Sequence, residues 1–274
     1  MRVDAHHHLW CYDVAEYGWI DEPMQMLRRD FLPGDLAQEM QAAGVDATVA
    51  VQARQTMEET RWLLELAKNS TLIRGVVGWA AIAAKDFPAV VEELAVEPLL
   101  KGLRHVVQAE PAGFLEGVEF NRGISAMRGT GLVYDLLVFA PQLEEATRFV
   151  NRHPQQMFVL DHLGKPAIAR DGFAEWVRNF RELARRENVF CKVSGMVTEA
   201  DWERWSEEDL RRYFDVAMEA FGASRLMVGS DWPVLTVACG YGQWWETVRR
   251  WTGRLTAAER EAIEGGVAAR VYRL

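Results

Sequence analysis

Eight short apolar runs punctuate the chain, and their rhythm constrains the fold more than any other feature. They lie at 2–5, 46–52, 72–79, 101–107, 132–139, 157–162, 189–194 and 226–230. Each is of strand length and too short for a buried helix. From the second onward they start about 30 residues apart, which is the length of one strand, one helix and their connections. The stretches between them carry helix signals. Thr56 and Glu59 form a capping box ahead of Trp62, Leu63, Leu64 and Leu66, and Phe173–Ala184 keeps a 3.6-residue apolar period. Ser206 and Thr256 stand where two further helices would be capped. Eight strands alternating with helices predict an α/β fold, a (β/α)8 barrel, with residues 1–274 as a single domain. An open doubly wound sheet is the alternative. No G-x-G-x-x-G or Walker loop follows any of the runs, which weighs against it.

Composition narrows the function class. The net charge of -9 gives no basic footprint, so neither nucleic acid nor an acidic membrane surface is an expected partner. No stretch has the apolar length of a membrane span. Cys11, Cys191 and Cys239 are odd in number and far apart, which predicts free thiols and a reducing, cytoplasmic setting. A small-molecule substrate is left as the expected partner; the sequence does not specify an oligomeric state.

In a barrel of this kind the chemistry sits where the strands end. The first run passes into Asp4-Ala5-His6-His7-His8, and the last ends in Gly229-Ser230-Asp231-Trp232-Pro233. Strict alternation places Asp4, His6 and His8 on one face and His7 on the other. The sixth run ends in Asp161-His162-Leu163-Gly164-Lys165. Asp231, His162, His6 and His8 are therefore the candidate catalytic residues. Arg104 and His105 in the fourth run, Tyr134 in the fifth and Lys192 in the seventh are candidates to hold a polar substrate. The plain alternative for each is a hydrogen-bonded structural residue.

Tryptophan is abundant, with eleven copies. Trp10 and Trp232 adjoin the terminal motifs and offer flat faces to a ring. Trp176, Trp202, Trp205, Trp244, Trp245 and Trp251 fall on helical patterns and are expected in the core. The long segment 11–33 can fold over the barrel mouth as a lid.

The ordered set of motifs resembles a known family. H-x-H closing the first strand and Gly229–Pro233 closing the eighth resemble the amidohydrolase superfamily. Asp161-His162-Leu163-Gly164-Lys165-Pro166 and Cys191-Lys192-Val193-Ser194-Gly195 resemble its sugar-lactonase branch. Tyr134–Phe139 and Val197–Trp202 are similar to the L-fucono-lactonase group, with L-rhamnono-lactonases and pyrone-dicarboxylate lactonases as relatives. The resemblance runs from residue 2 to about 271. It implies hydrolysis of an L-fucono-lactone-like sugar lactone to the aldonic acid, with the barrel fold to match.

Such a reaction needs a base for water, donors for the developing oxyanion and a proton for the leaving alkoxide. Asp231 suits the first role, and His162, His6 and His8 suit the others. A metal site is the competing use of the same groups: His6, His8 and Asp231, with His162 as a further ligand, suit one divalent ion such as zinc. The branch is implied to include enzymes that need no metal, so no cofactor is strictly required. The two-metal members that the motifs resemble are implied to carry a bridging lysine on strand 4 and histidines closing strands 5 and 6. Here strand 5 closes in Val138-Phe139-Ala140 and Lys101 starts strand 4, so a binuclear site is not expected. A metal-dependent decarboxylase or hydratase on the same scaffold, and a non-catalytic sugar-binding barrel, are the alternative functions.

Overall fold

The computed structural model describes residues 1–170 and 172–274. Eight strands form one sheet in chain order, every neighbouring pair parallel. They are β1 (Val3–His7), β2 (Ala47–Val51), β3 (Ile73–Gly78), β4 (Leu100–His105), β5 (Val133–Leu136), β6 (Phe158–Leu160), β7 (Val189–Val193) and β8 (Leu226–Val228). Helices α1 (Pro33–Ala43), α2 (Met57–Lys68), α3 (Phe87–Ala95), α4 (Val118–Ala126), α5 (Leu143–Arg152), α6 (Phe173–Ala184) and α7 (Glu207–Phe221) lie between successive strands. Helices α8 (Tyr241–Thr252), α9 (Ala257–Glu261) and α10 (Val267–Val271) follow the last strand. This is the (β/α)8 barrel that the rhythm predicts.

The barrel closes just beyond the formal ends of β1 and β8. The Asp231 N–H donates to the His6 carbonyl at 2.8 Å, and the His8 N–H donates to the Trp232 carbonyl at 2.6 Å. The backbone closure itself therefore brings the two terminal motifs together.

The helix starts behave as their sequences demand. Thr56 Oγ1 accepts from the Glu59 N–H at 3.1 Å, and Ser206 Oγ accepts from the Asp209 N–H at 3.2 Å. The periodic face of α6 buries Trp176, Phe180 and Leu183 against the sheet. Trp244, Trp245 and Trp251 on α8 are likewise buried.

Two apolar cores result. The larger lies between strands and helices. The smaller fills the lower half of the barrel with Val49, Val133, Val159 and Met227, and Val267, Val271 and Tyr272 plug its base. Lys101 lies at that base, where its Nζ donates to the Arg273 carbonyl at 3.0 Å.

At the opposite end, segment 11–30 is pinched at its root. Trp10 and Phe31 exchange backbone hydrogen bonds of 3.0 and 2.9 Å. Its loop reaches the mouth, where Glu16 pairs with Arg54 at 2.6 Å. Among the described residues no helix is long and apolar enough to cross a membrane.

Candidate active site

A bulge in β1 sets the site. Asp4 pairs with Thr48 but His7 pairs with Ala50, so three steps on β1 match two on β2. The extra residue reverses the alternation. Val3 and Ala5 lie in the inner core, while Asp4 turns outward to accept from Tyr241 of α8 at 3.1 Å and from Ser230 Oγ at 2.6 Å. Asp4 therefore does not share a face with His6 and His8, which corrects the reading from strict alternation. It laces the ends of β1 and β8 together instead, and burial pushes its carboxyl up to about 6. His7 is buried on the outer side, away from the cavity, as alternation within the histidine run requires.

Beyond the bulge the histidines converge on Asp231. His8 Nε2 lies 3.3 Å from Asp231 Oδ1, His6 Nε2 lies 3.7 Å from it, and His162 Nε2 lies 3.9 Å from it. His8 Nδ1 bonds the Val51 carbonyl at 2.8 Å. A carbonyl only accepts, so Nδ1 donates there and Nε2 is the nitrogen that His8 turns toward Asp231. His162 Nδ1 meets Ser194 Oγ at 2.9 Å. If Ser194 donates there, His162 keeps its proton on Nε2 and faces the cavity as a donor.

A buried ionic layer supports this cluster. Lys192 Nζ lies 2.5 Å from Asp135 Oδ2, 3.0 Å from Asp161 Oδ1 and 3.1 Å from His6 Nδ1. Arg104 Nη1 donates to Asp161 Oδ2 at 3.0 Å, and its Nη2 donates to the Gln52 carbonyl. Burial and the Lys192 ammonium hold His6 well below its ordinary value. Burial takes His162 down to about 4 against the pull of Asp231. Burial alone would raise the Asp231 carboxyl, but His162, His8 and His6 outweigh it and hold the group well below the usual carboxylate range.

The cluster forms the floor of a cavity of about 650 Å³ at the C-terminal mouth of the barrel. Asp231, His8, His162 and Arg104 line it, while His6 and Lys192 sit in the layer beneath. Other predicted residues are placed elsewhere. His105 turns to the outer side, where it bonds Glu110 at 2.8 Å and stacks on Phe114. Tyr134 packs outward against Phe120 and Phe149. Both alternate with inward neighbours, Arg104 and Asp135, so neither reaches the cavity as a substrate-binding residue. Trp10 is buried at the root of the lid, its Nε1 donating to the Arg29 carbonyl at 2.9 Å. Trp232 packs edge-on against Phe31 and borders a separate surface cleft beside α1. The tryptophan at the cavity is Trp19, carried by the lid.

Backbone strain gathers at the floor. Asp231 has φ 63°, and His162, Leu163, Gly164 and Lys165 form a left-handed run with φ of 54°, 54°, 68° and 45°. Non-glycine residues pay about 1 kcal/mol each for that region, so surrounding structure must hold them there. Gly195 is part of that hold. At φ 62° a Cβ on it would sit 2.5 Å from His162 Nδ1. Gly195→Ala should displace His162 and cut kcat by about 100-fold. A kcat within threefold of wild type would remove His162 from the chemistry.

The comparisons with known proteins agree with this construction. A model of the amidohydrolase family matches residues 3–274. This chain belongs to the amidohydrolase family. It is 44% identical over 286 residues to an L-fucono-1,5-lactonase of Burkholderia multivorans, covering 100% of this chain and 96% of the relative. An L-fucono-1,5-lactonase of Burkholderia ambifaria is 34% identical, with 100% and 96% covered. A crystal structure of an amidohydrolase from Burkholderia multivorans with bound zinc is 42% identical and superimposes with a TM-score of 0.96, covering 100% of this chain and 99% of that one.

Within the family, the donor set here suits one metal ion. His6 Nε2, His8 Nε2 and Asp231 Oδ1 are separated by 3.2, 3.3 and 3.7 Å. Three ligands bound tetrahedrally at zinc's ordinary bond lengths sit about 3.3 Å apart. His8, anchored through Nδ1, offers Nε2 as its ligand atom, and Asp231 is ionised as a cation requires. A second trio of donor groups, His6, Asp161 and His162, shares His6 with the first. Lys101 lies at the barrel base, and no histidine closes β5.

Proposed function

We propose that this amidohydrolase is a lactonase, opening the ring ester of an L-fucono-lactone-like sugar lactone to the aldonic acid. The observation that carries this reading is the ionised Asp231 beside His162 on the floor of a cavity of about 650 Å³, in a chain 44% identical to an L-fucono-1,5-lactonase.

Asp231 takes a proton from water as the oxygen attacks the lactone carbonyl. Its low pKa keeps it in the basic form, and its burial denies it competing solvent. In this reading Ser194 is the donor in its 2.9 Å bond to His162 Nδ1, so that His162 offers Nε2–H to the oxyanion as it develops. The proton held by Asp231 then passes to the ring oxygen as the acyl C–O bond breaks. His6 and His8 complete the floor with Asp231; when a divalent ion is bound by these three, it supplies Lewis-acid polarisation at the same place. Lys192 serves this site from beneath, holding Asp161 and His6 in position, while Arg104 holds Asp161 and also lines the cavity.

The decarboxylase or hydratase reading and the sugar-binding reading explain fewer features. Binding alone requires no base opposed to a proton donor. A reducing compartment such as the cytoplasm suits a chain whose Cys11, Cys191 and Cys239 are free.

Acid release from a panel of sugar lactones, followed by pH indicator against an uncatalysed control, tests the proposal. Catalysed opening is expected with L-fucono-1,5-lactone, and silence across the panel would sink it. The acid limb is a second expected result. Protons reach the Asp231–His162 pair only near pH 4, because burial holds His162 at about 4. As pH falls, log kcat/KM should stay level from about 7.5 to 5 and drop below about 4. A limb near the 6.5 of an ordinary imidazole would mean that a different group controls turnover.

A further inference from the structure

The floor of the cavity explains the chemistry, but one wall carries a charged pair that the chemistry leaves unused. Lys165 and Glu199 both line the cavity, with Nζ and Oε1 3.5 Å apart. Lys165 ends the left-handed run that begins at His162. One such turn brings its first and fourth residues to the same side, so the geometry that aims His162 at the floor aims Lys165 at the wall above it. The Lys165 N–H closes the turn on the His162 carbonyl at 2.8 Å. Glu199 comes from the loop after β7. Its carbonyl accepts from the Ala169 N–H at 2.9 Å, which ties the β6 and β7 loops together.

The side chains are only partly spent on each other. A single 3.5 Å approach leaves the ammonium with two donors and the carboxylate with several lone pairs facing the cavity. The side chains are 17% and 20% exposed, so water screens them little. The opposite wall differs. There Arg54 is engaged by Glu16 at 2.6 Å and by Glu59 at 4.0 Å.

We infer that the Lys165–Glu199 pair reads a vicinal diol on the substrate ring and is the cavity's selector for sugar over plain lactones. Neighbouring hydroxyls suit it chemically: one donates its O–H to Glu199 while the other accepts from Lys165. The pair also lies on the wall above His162, so hydroxyls held there leave the ester group free to meet Asp231. A ring with a single hydroxyl, or with two held trans-diaxially, cannot satisfy both partners. This inference rests on the lactonase reading for its substrate and on the wall geometry for its residues.

The test compares wild type with Glu199→Gln and Lys165→Met, which keep side-chain volume. Two lactones are used, L-fucono-1,5-lactone and δ-valerolactone, which has no hydroxyls. Each variant should lose about 30- to 100-fold in kcat/KM on the sugar lactone and stay within twofold on δ-valerolactone. Equal losses on both lactones, or no loss on either, would overturn the inference. Calorimetric titration with L-fuconate reads the pair without turnover. Wild type should bind it, and each variant should bind at least tenfold more weakly. If wild type opens no lactone, the lactonase reading falls while the titration still decides the pair. Unchanged fuconate affinity in both variants counts against it.

Discussion

Asp231→Asn should lower kcat by about 1,000-fold while leaving the melting temperature nearly unchanged. The substitution removes proton affinity and little else. Asparagine has the same shape and tolerates the left-handed region that Asp231 occupies at φ 63°. The backbone bonds at this residue are indifferent to its side chain: its N–H reaches the His6 carbonyl at 2.8 Å, and its carbonyl accepts from Leu235 at 3.0 Å. An amide in this place can neither take a proton from water nor pass one to the ring oxygen. It is also a weaker ligand for a cation, so metal content must be measured beside the rate. If Asp231 serves as the base, saturating zinc leaves the variant slow. Recovery to near wild-type rates with added zinc would make Asp231 a ligand and require another base.

The barrel was legible because eight buried runs recur at one spacing, and that regularity survives errors at each boundary. Strand ends were not legible. The run 132–139 continues apolar, but β5 stops at Leu136 because Leu137 leaves the ladder to line the cavity. The run 157–162 likewise gives way at Asp161, where the chain turns left-handed to present His162. Function takes the residues that the pattern assigns to strands.

Inward and outward faces were the second gap. Strands covered on both sides carry no polar face to mark their orientation. His105 and Arg104 therefore looked equivalent, as did Tyr134 and Asp135. One signal was available. Two acids and two bases on or just past the strands of one barrel, Asp135, Asp161, Arg104 and Lys192, can be buried only if they face each other. Assigning them inward would have turned His105 and Tyr134 outward. The β1 bulge left no such trace, and it alone separates Asp4 from the histidines. Glu199 lies within the motif Val197–Trp202, yet only the tertiary approach of the β6 and β7 loops sets it beside Lys165.

The largest stability effect should come from Lys192→Met, at about 3–5 kcal/mol of lost unfolding free energy. The ammonium is fully buried and lies between Asp135, Asp161 and His6. Methionine fills the space but leaves Asp135 with only the Tyr272 hydroxyl, at 2.9 Å, and leaves Asp161 with Arg104. Two buried carboxylates then repel each other without the cation between them. The loss should grow with pH, and the sign follows from Asp135. Burial already raises its carboxyl to about 6 despite Lys192. The folded chain therefore takes up a proton that the unfolded chain, near 3.8, does not, and stability falls as pH rises through that window. Removing the ammonium pushes the folded value higher, so the window widens upward and the deficit at pH 8 exceeds that at pH 5. Denaturant melts at the two pH values measure both quantities. Asp135→Asn in the Lys192→Met background should restore part of the loss and flatten the pH dependence, since it removes the charge left unpaired. A single-variant cost below about 1 kcal/mol, alike at both pH values, would mean that water enters the barrel and that the ionic layer does not hold the floor.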